Sequence, residues 1–112
     1  MKAMYLSEKS GPEALTWGEI PPPPAPTAGE VRVHVLATAV TPTEFDWSPT
    51  FNTREGRPRP FPIVPGHEFS GVVESVGPDV KGFRPGDEVF GLNDWFANGA
   101  LAETILAPAS TI

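Results

Sequence analysis

Apolar and polar residues alternate most regularly in the segment GEVRVHVLATAV, at residues 29–40. Val31, Val33 and Val35 fall on one face of an extended chain there, and Arg32 and His34 fall on the opposite face. Alternation with a period of two is typical of a half-buried β-strand. The pattern therefore predicts a strand, with His34 directed into solvent beside Arg32.

Other short segments combine apolar content with turn signals at their ends. Strands are predicted within residues 2–8, 13–20, 67–77 and 99–108, and two more within residues 76–92. In the last of these segments, the Gly-Pro-Asp and Arg-Pro-Gly-Asp clusters fix chain reversals, because proline sets φ and glycine allows positive φ. Six or more short strands with little helix are typical of an antiparallel barrel. We therefore predict a mainly β chain that folds as a closed or partly open antiparallel β-barrel with short helical turns.

Proline is unusually frequent, with 15 among 112 residues, against a usual level of about 5%. Proline lacks a donor N–H and clashes with the preceding helical turn, so this content disfavours long helices. The run PPPPAP at residues 21–26 is expected to adopt the extended polyproline II conformation. Such a run serves either as a stiff connector or as a ligand of a proline-binding domain. Its position between two predicted strands favours the connector.

The segment between residues 41 and 62 has no sustained periodicity. Irregular connections of this length in compact domains are commonly functional or mobile. The segment begins like a helix N-terminus, because Thr41 suits the N-cap, Pro42 the first helical position and Glu44 the third. One short helical turn is therefore predicted in the sequence PTEFDW.

Charge and composition exclude several classes of function. The formal net charge is −6, whereas nucleic-acid binding requires a basic surface. No apolar run is long enough to cross a bilayer, and the N-terminus has no apolar core typical of a signal peptide. The chain has no cysteine, which excludes disulfides, thiolate catalysis and cysteine–zinc sites. We expect a cytoplasmic protein without nucleic-acid or membrane partners.

Several motifs occur together in a characteristic order. The opening MKAMYL and the strand GEVRVHVLATAV are followed by GHEFSGVVESVG, PGDEVFG and finally GALAETILAP. In this combination the chain resembles the N-terminal, GroES-like catalytic domain of the medium-chain dehydrogenase/reductase superfamily. The resemblance covers essentially all of residues 1–112 and implies one GroES-like domain. No Gly-x-Gly-x-x-Gly motif occurs, so we expect the nucleotide-binding Rossmann domain to be absent from this chain.

Two branches of this superfamily differ in their use of zinc. In the zinc-dependent alcohol dehydrogenases, a cysteine at the position of Thr41 is the first metal ligand, and a lobe with four cysteines binds a structural zinc. A threonine hydroxyl is a poor zinc ligand, and the four cysteines are missing here. The chain looks like the zinc-independent branch, which includes quinone oxidoreductases and enoyl reductases. The resemblance thus implies an NAD(P)H-dependent oxidoreductase that reduces quinones or conjugated carbonyls without zinc.

His67 and Glu68 stand side by side and could supply two metal ligands. A catalytic zinc site needs three protein ligands, and the sequence offers no cysteine and no suitable second histidine. We therefore expect no bound metal. Two roles remain open for His67, whose imidazole either bonds a backbone group and holds the turn at Pro65 and Gly66, or contacts the substrate. Glu68 is expected to stabilise a turn rather than to move a proton.

The resemblance places two loops at a cleft between domains. One loop follows the predicted strand GEVRVHVLATAV, and the other is LNDWFANGA. Hydrogen-bond donors can replace a metal at a developing oxyanion, so the candidate catalytic residues are Thr41, Thr43 and His67. Thr41 and Pro42 are candidate contacts of NADPH, most of which the absent Rossmann domain is expected to bind. The candidate substrate-binding residues are aromatic side chains of the two loops, Trp47, Phe51, Trp95 and Phe96. The alternative roles are helix capping by Thr41 and packing of the aromatic rings beneath the loops.

A second hypothesis is a GroES-like binding or assembly module without catalysis, such as a subunit of a co-chaperonin ring. A third is a structural or regulatory homologue that keeps the fold without turnover. The motifs GHE and PGDEVFG and the aromatic loops favour the oxidoreductase. The expected partners are a small carbonyl or quinone substrate and a Rossmann domain. We also expect weak self-association into homo-oligomers through the surface that the Rossmann domain would cover.

Overall fold

Six strands form two open antiparallel sheets in the computed structural model, which describes residues 1–112. The strands are β1 (Lys2–Tyr5), β2 (Thr16–Glu19), β3 (Glu30–Ala39), β4 (Glu68–Val76), β5 (Glu88–Leu92) and β6 (Thr104–Pro108). β1 pairs with β2, and the other four strands form one sheet in the order β5-β4-β3-β6. The predicted mainly β, partly open architecture is confirmed. A closed barrel is wrong, because the two sheets stay separate and β5 and β6 remain edge strands.

Helices are few and short, as the proline content predicts. Three 3-10 turns cover Pro12–Ala14, Pro42–Asp46 and Ala109–Thr111, and one α-helical turn, α1, covers Ser48–Phe51. The turn at Pro42–Asp46 confirms the helical turn predicted in PTEFDW. Residues 21–26 belong to no helix or strand, in agreement with an extended connector. None of the helices has the length and apolar content that a membrane span requires.

The central strand β3 has the two faces that its alternation predicts. Val31 and Val33 are fully buried. On the opposite face, Nε of Arg32 donates to Oε2 of Glu74 at 3.0 Å. His34 is exposed on the same face, with its Nδ1 3.9 Å from the Glu74 carboxylate. The predicted orientation of His34 is therefore confirmed.

Only one of the two strands predicted in the segment VGPDVKGFRPGDEVFGL forms, and it is β5. The residues before β5 make turns. The N–H of Val80 donates to the carbonyl of Gly77 at 3.1 Å, and the N–H of Arg84 donates to the Asp87 carboxylate at 2.9 Å. Two proline-containing turns leave too few residues between them for a strand. The apolar side chain of Phe83 packs against the sheet core from a loop instead.

Two apolar clusters fix the parts of the chain that position the site. The larger cluster consists mainly of residues of the four-stranded sheet. It contains Val31, Val33, Phe69, Val73, Ala100, Ile105 and Ala107. The smaller cluster packs beneath the segment between β3 and β4 and contains Leu6, Phe45, Phe51 and Ile63. Burial of one large apolar side chain contributes about 1.5–3 kcal/mol. The irregular segment is therefore held to the body of the domain by its own apolar residues.

Candidate active site around His67

The chain turns immediately after β3, at Thr41. Thr41 is the N-cap of the 3-10 turn and Pro42 begins that turn, as predicted, but the Thr41 side chain makes no capping hydrogen bond. The turn closes through the backbone instead, because the N–H of Glu44 donates to the carbonyl of Thr41 at 2.9 Å. The expected capping role of the Thr41 hydroxyl is therefore wrong. Thr41 and Thr43 are both exposed, so their hydroxyls are available to a ligand.

Glu44 points inward from this turn, and only 1% of its surface is exposed. Its carboxylate oxygen Oε1 accepts a hydrogen bond from the N–H of Gly66 at 2.9 Å and lies 3.0 Å from Nε2 of His67. The carbonyl of Glu44 accepts a hydrogen bond from the Thr50 hydroxyl at 2.6 Å. A buried carboxylate needs such donors, because an unpaired buried charge is costly. Glu44 thereby ties the turn after β3 to the start of β4.

The turn before β4 is shaped around this carboxylate. Gly66 is buried with a φ of 91°, a conformation that side chains of L-residues rarely adopt. Glu44 holds this turn, since the His67 ring contacts the carboxylate instead of a backbone group and Glu68 is exposed. The turn-holding role, which was one of two left open for His67 and the one expected of Glu68, is therefore wrong. Glu44, 22 residues before Gly66, performs it.

Aromatic rings cover His67. The Trp95 ring centroid lies 4.9 Å from that of His67, with the two planes tilted by 47°. Trp47 meets Trp95 edge to face, with 5.3 Å between ring centroids. His67 is buried, and its Nδ1 is the one buried side-chain nitrogen or oxygen of the chain without a hydrogen-bond partner. Such an atom is rare in folded proteins, and here it marks an unsatisfied polar position directly at the aromatic cluster.

The loop between β5 and β6 carries Trp95 and is anchored to the His67 backbone. The N–H of Asn93 donates to the carbonyl of His67 at 2.7 Å. The side-chain amide of Asn93 donates to the carbonyl of Asn98 at 2.6 Å, which closes the loop on itself. At Gly99 the loop passes so close to the turn before β4 that a Cβ atom would collide with two carbonyl oxygens. This close approach places Trp95 against the imidazole.

Arginine side chains join the same loop to the segment after β3. Arg54 forms an ion pair with Asp94 at 2.8 Å, and its guanidinium lies 4.4 Å from the centroid of the Phe96 ring. Arg54 is exposed, so the ion pair contributes at most about 1 kcal/mol. Arg59 lies deeper, and burial lowers the pKa of its guanidinium, an effect that the charge of Asp94 opposes. The two loops are therefore connected both at the surface and in the interior.

The structure divides the predicted site residues into three groups. One group, in direct ring contact, consists of His67, Trp47 and Trp95. A second group, exposed on the turn after β3, consists of Thr41, Pro42 and Thr43. The third contains two separate phenylalanines, Phe51 in the smaller apolar cluster and Phe96 beneath the Arg54 guanidinium. Of these residues, His67 contacts the buried carboxylate of Glu44. The catalytic, cofactor and substrate contacts predicted for the three groups stay predictions.

Three residues that shape the site were not predicted as site residues. They are Glu44, Arg59 and Asn98. The position of Glu44 indicates a capping box, whereas its carboxylate serves a contact far along the chain. Arg59 and Asn98 contact each other across 39 residues. No local pattern signals contacts of this kind.

Donors for a metal ion are few at this site. Nowhere in the chain do three or more histidine, aspartate or glutamate side chains converge in a way that could hold one. Nε2 of His67 already faces Glu44, and Thr41 offers a hydroxyl, which binds zinc poorly. The residues of this chain therefore do not by themselves fit a zinc ion.

The chain is an open antiparallel β-domain in which His67 directly precedes β4 and faces Glu44 of the turn after β3. The family model described as alcohol dehydrogenase GroES-like domain matches residues 27–112. The chain belongs to this family, within the medium-chain dehydrogenase/reductase superfamily of oxidoreductases. The resemblance drawn from the motifs is confirmed.

The chain matches some relatives named as alcohol dehydrogenases and others named as quinone oxidoreductases. It is 40% identical over 92 residues to alcohol dehydrogenase 1 of Tanacetum cinerariifolium, which covers 81% of this chain and 22% of the relative. It is 34% identical over 112 residues to the quinone oxidoreductase of Rattus norvegicus, which covers 99% of this chain and 32% of the relative. The quinone oxidoreductase structure from Pseudomonas syringae pv. Tomato DC3000 superposes with a TM-score of 0.77 at 26% identity, over 99% of this chain and 32% of that one. The chain thus spans about a fifth to a third of the length of these relatives.

Proposed function

We propose that this chain is the substrate-side domain of an NADPH-dependent oxidoreductase that reduces quinones or conjugated carbonyls without zinc. One observation carries the proposal. Thr41 is exposed at the position where the resemblance implies a cysteine ligand in the zinc-dependent branch, Thr43 is exposed two residues later, and His67 faces a buried carboxylate. Hydroxyl donors without a thiolate suit a reaction in which hydrogen bonds stabilise an oxyanion. The match to a quinone oxidoreductase over 99% of the chain supports the same branch.

Hydride addition to a conjugated carbonyl places negative charge on the carbonyl oxygen. Nicotinamide supplies the hydride when the cofactor is bound. We assign the Thr43 hydroxyl as a hydrogen-bond donor to that oxygen, with Thr41 beside it. Trp47 and Trp95 exclude water from the adjoining surface, which strengthens such hydrogen bonds because the local dielectric is lower. Their flat rings also suit a planar conjugated substrate.

His67 has a different position from the two threonines. It is buried and in ring contact with Trp95, so a substrate would reach its buried Nδ1 only after the covering groups move. Its contact with Glu44 holds the imidazole in one orientation. We therefore assign His67 to the support of the Trp95 indole. A direct contact between His67 and the substrate would require a second state, in which Trp95 is displaced.

The chain offers only part of a site for NADPH. Pyrophosphate is ordinarily bound by a glycine-rich turn at the N-terminus of a helix, and the longest helical turn here has five residues. Thr41 and Pro42 are exposed after β3 and fit a contact with the nicotinamide end. We propose that a Rossmann domain of a longer protein binds the remainder. The fraction of its relatives that this chain spans supports this division.

The full-length protein that carries this domain is expected to reduce a quinone or an enone with NADPH, at a rate that dialysis against a chelator leaves unchanged. Elemental analysis after dialysis without chelator should show well under one zinc per chain. The reason is the donor set, because the Thr41 hydroxyl is a poor substitute for a thiolate. Stoichiometric, tightly held zinc, or alcohol oxidation that a chelator abolishes, would place the protein in the alcohol dehydrogenase branch. A large symmetric oligomer without turnover in native mass spectrometry would favour the assembly module.

The 112-residue chain by itself is expected to bind NADPH more weakly than micromolar and to show no turnover. Its net charge of −6 repels a polyanion, and contacts at the nicotinamide end alone do not offset an association cost of about 4 kcal/mol or more. Leu36 and Phe90 are 66% and 81% exposed, so weak self-association is also expected. Calorimetric titration with NADPH and sedimentation velocity measure the two effects. A micromolar or tighter dissociation constant, or quinone turnover by the purified chain, would contradict the division of the site between two domains.

A further inference from the structure

Arg59 is a buried cation without a carboxylate partner. It is 8% exposed, and no other arginine or lysine of the chain is buried. Among the lysine and arginine side chains, Lys2, Arg32 and Arg54 form ion pairs, whereas Arg59 forms none. Burial of a guanidinium is costly unless its donors are satisfied. The donors of Arg59 are used instead on neutral oxygens of two separate loops.

One end of the guanidinium supports the segment that carries Glu44. Nη1 of Arg59 donates to the carbonyls of Pro49 and Thr50 at 3.0 and 2.9 Å. The Thr50 hydroxyl donates to the carbonyl of Glu44 at 2.6 Å, and the N–H of Thr50 donates to the carbonyl of Trp47 at 3.2 Å. Through Thr50, Arg59 is therefore connected to the backbones of Glu44 and Trp47, the residues that carry the buried carboxylate and one indole of the site.

The other end of the guanidinium supports the loop that carries Trp95. Nη2 donates to Oδ1 of Asn98 at 3.2 Å, and the same oxygen accepts a hydrogen bond from the N–H of Val64 at 3.0 Å. The carbonyl of Asn98 is held by the Asn93 side chain. The Arg59 side chain thus connects the segment that carries Trp47 with the loop that carries Trp95. We call these two parts of the chain the Trp47 wall and the Trp95 wall.

We propose that Arg59 is a positioning residue, which fixes the separation of the Trp47 and Trp95 walls and thereby selects flat, conjugated substrates. The choice of substrate rests on the proposed function, whereas the connection between the walls does not. With both walls fixed, the indole centroids lie 5.3 Å apart. Planar quinone or enone rings can stack on indoles held in this way, whereas a puckered saturated ring makes poorer contact with them.

Arginine is suited to this role because its planar guanidinium presents a rigid fork of donors and keeps its charge. A lysine at position 59 would carry the same charge on one compact ammonium group, which cannot reach both loops at once. Arg59→Lys is therefore expected to lose the hydrogen bonds to one of the two walls. Arg59→Met is expected to lose the hydrogen bonds to both. Arg57 provides the matched control, because it lies two residues earlier and is exposed.

The first measurement is circular dichroism of the 112-residue chain with Trp17→Phe, which leaves Trp47 and Trp95 as its two indoles. Indoles in edge-to-face contact produce an exciton couplet, which a purely stabilising role of Arg59 would not alter in the folded state. We expect Arg59→Lys and Arg59→Met to remove the couplet while the strand signal in the far ultraviolet remains. Arg57→Lys and Arg57→Met should retain it.

The second measurement is kinetic and uses the full-length protein. Arg59→Lys is expected to lower kcat/KM for a planar quinone by about a hundredfold, the effect of a misplacement of about 1 Å in a binding site. Arg57→Lys should leave kcat/KM unchanged. An unchanged kcat/KM in Arg59→Lys would overturn the role in substrate selection.

Asn98→Ala keeps the proposal testable if the Arg59 variants do not fold. It removes the acceptor that Arg59 shares with the N–H of Val64 on the Trp95 loop, and Asn98 is exposed. Loss of the couplet in folded Asn98→Ala would support the connection, and a couplet retained in folded Asn98→Ala or Arg59→Met would overturn it. If the parent protein reduces no quinone or enone, the proposed function fails, while the couplet still decides the role of Arg59.

Discussion

Glu44→Ala is expected to destabilise the domain by about 1–3 kcal/mol for each buried donor that it leaves without an acceptor. The N–H of Gly66 loses its acceptor, and Nε2 of His67 loses the carboxylate oxygen that lies 3.0 Å away. Gly66 and His67 are buried, so water does not readily replace the carboxylate. Because a typical domain is stable by about 5–15 kcal/mol in total, this one change should remove a large part of its stability. Urea unfolding of the 112-residue chain measures the loss.

Glu68→Ala is the matched control for this prediction. Glu68 is exposed at the start of β4, and its removal should change the free energy of unfolding by at most about 0.5 kcal/mol. Glu44→Gln should recover part of the loss, since an amide oxygen can still accept a hydrogen bond from Gly66. Equal free energies of unfolding for Glu44→Ala and Glu68→Ala would show that the buried contact does not stabilise the fold.

Thr43→Ala is expected to lower enone turnover by the full-length protein by about a hundredfold, because one oxyanion donor typically contributes that much. Trp47→Ala should also impair the reaction, through loss of stacking worth about 0.5–1.5 kcal/mol. Thr43 is exposed and Trp47 is half-buried, so both variants should keep the fold. Steady-state kinetics with NADPH and an enone, beside a thermal unfolding curve, separate the effect on the reaction from the effect on stability.

Two further variants control for side-chain chemistry. Thr43→Ser keeps a hydroxyl and should retain most of the turnover. Trp17→Ala removes an indole that is 62% exposed on β2 and should leave the kinetics unchanged. Unchanged kinetics in both Thr43→Ala and Trp47→Ala would assign these residues to packing, and the oxyanion donor would then have to come from elsewhere.

Much of the backbone could be predicted from the sequence, because its causes are local. The faces of β3 follow from the alternation around Val31 and Val33. The turn at Pro42 follows from the fixed φ of proline at a first helical position. The strand expected before β5 failed for an equally local reason, since the turns at Gly77 and Arg84 consume the residues that it would need.

The sequence by itself determined a mainly β domain with short turns, a site without thiolate ligands, and the set of threonines, tryptophans and histidine from which a site could be built. Tertiary structure decided which of them meet. His67 contacts Glu44, and Phe51 is buried in the smaller apolar cluster. Arg59 donates a hydrogen bond to Asn98, 39 residues later in the chain. The physical reason is that local patterns act on nearest neighbours along the chain. The partner of a buried polar group depends instead on which distant segments packing brings within hydrogen-bond distance.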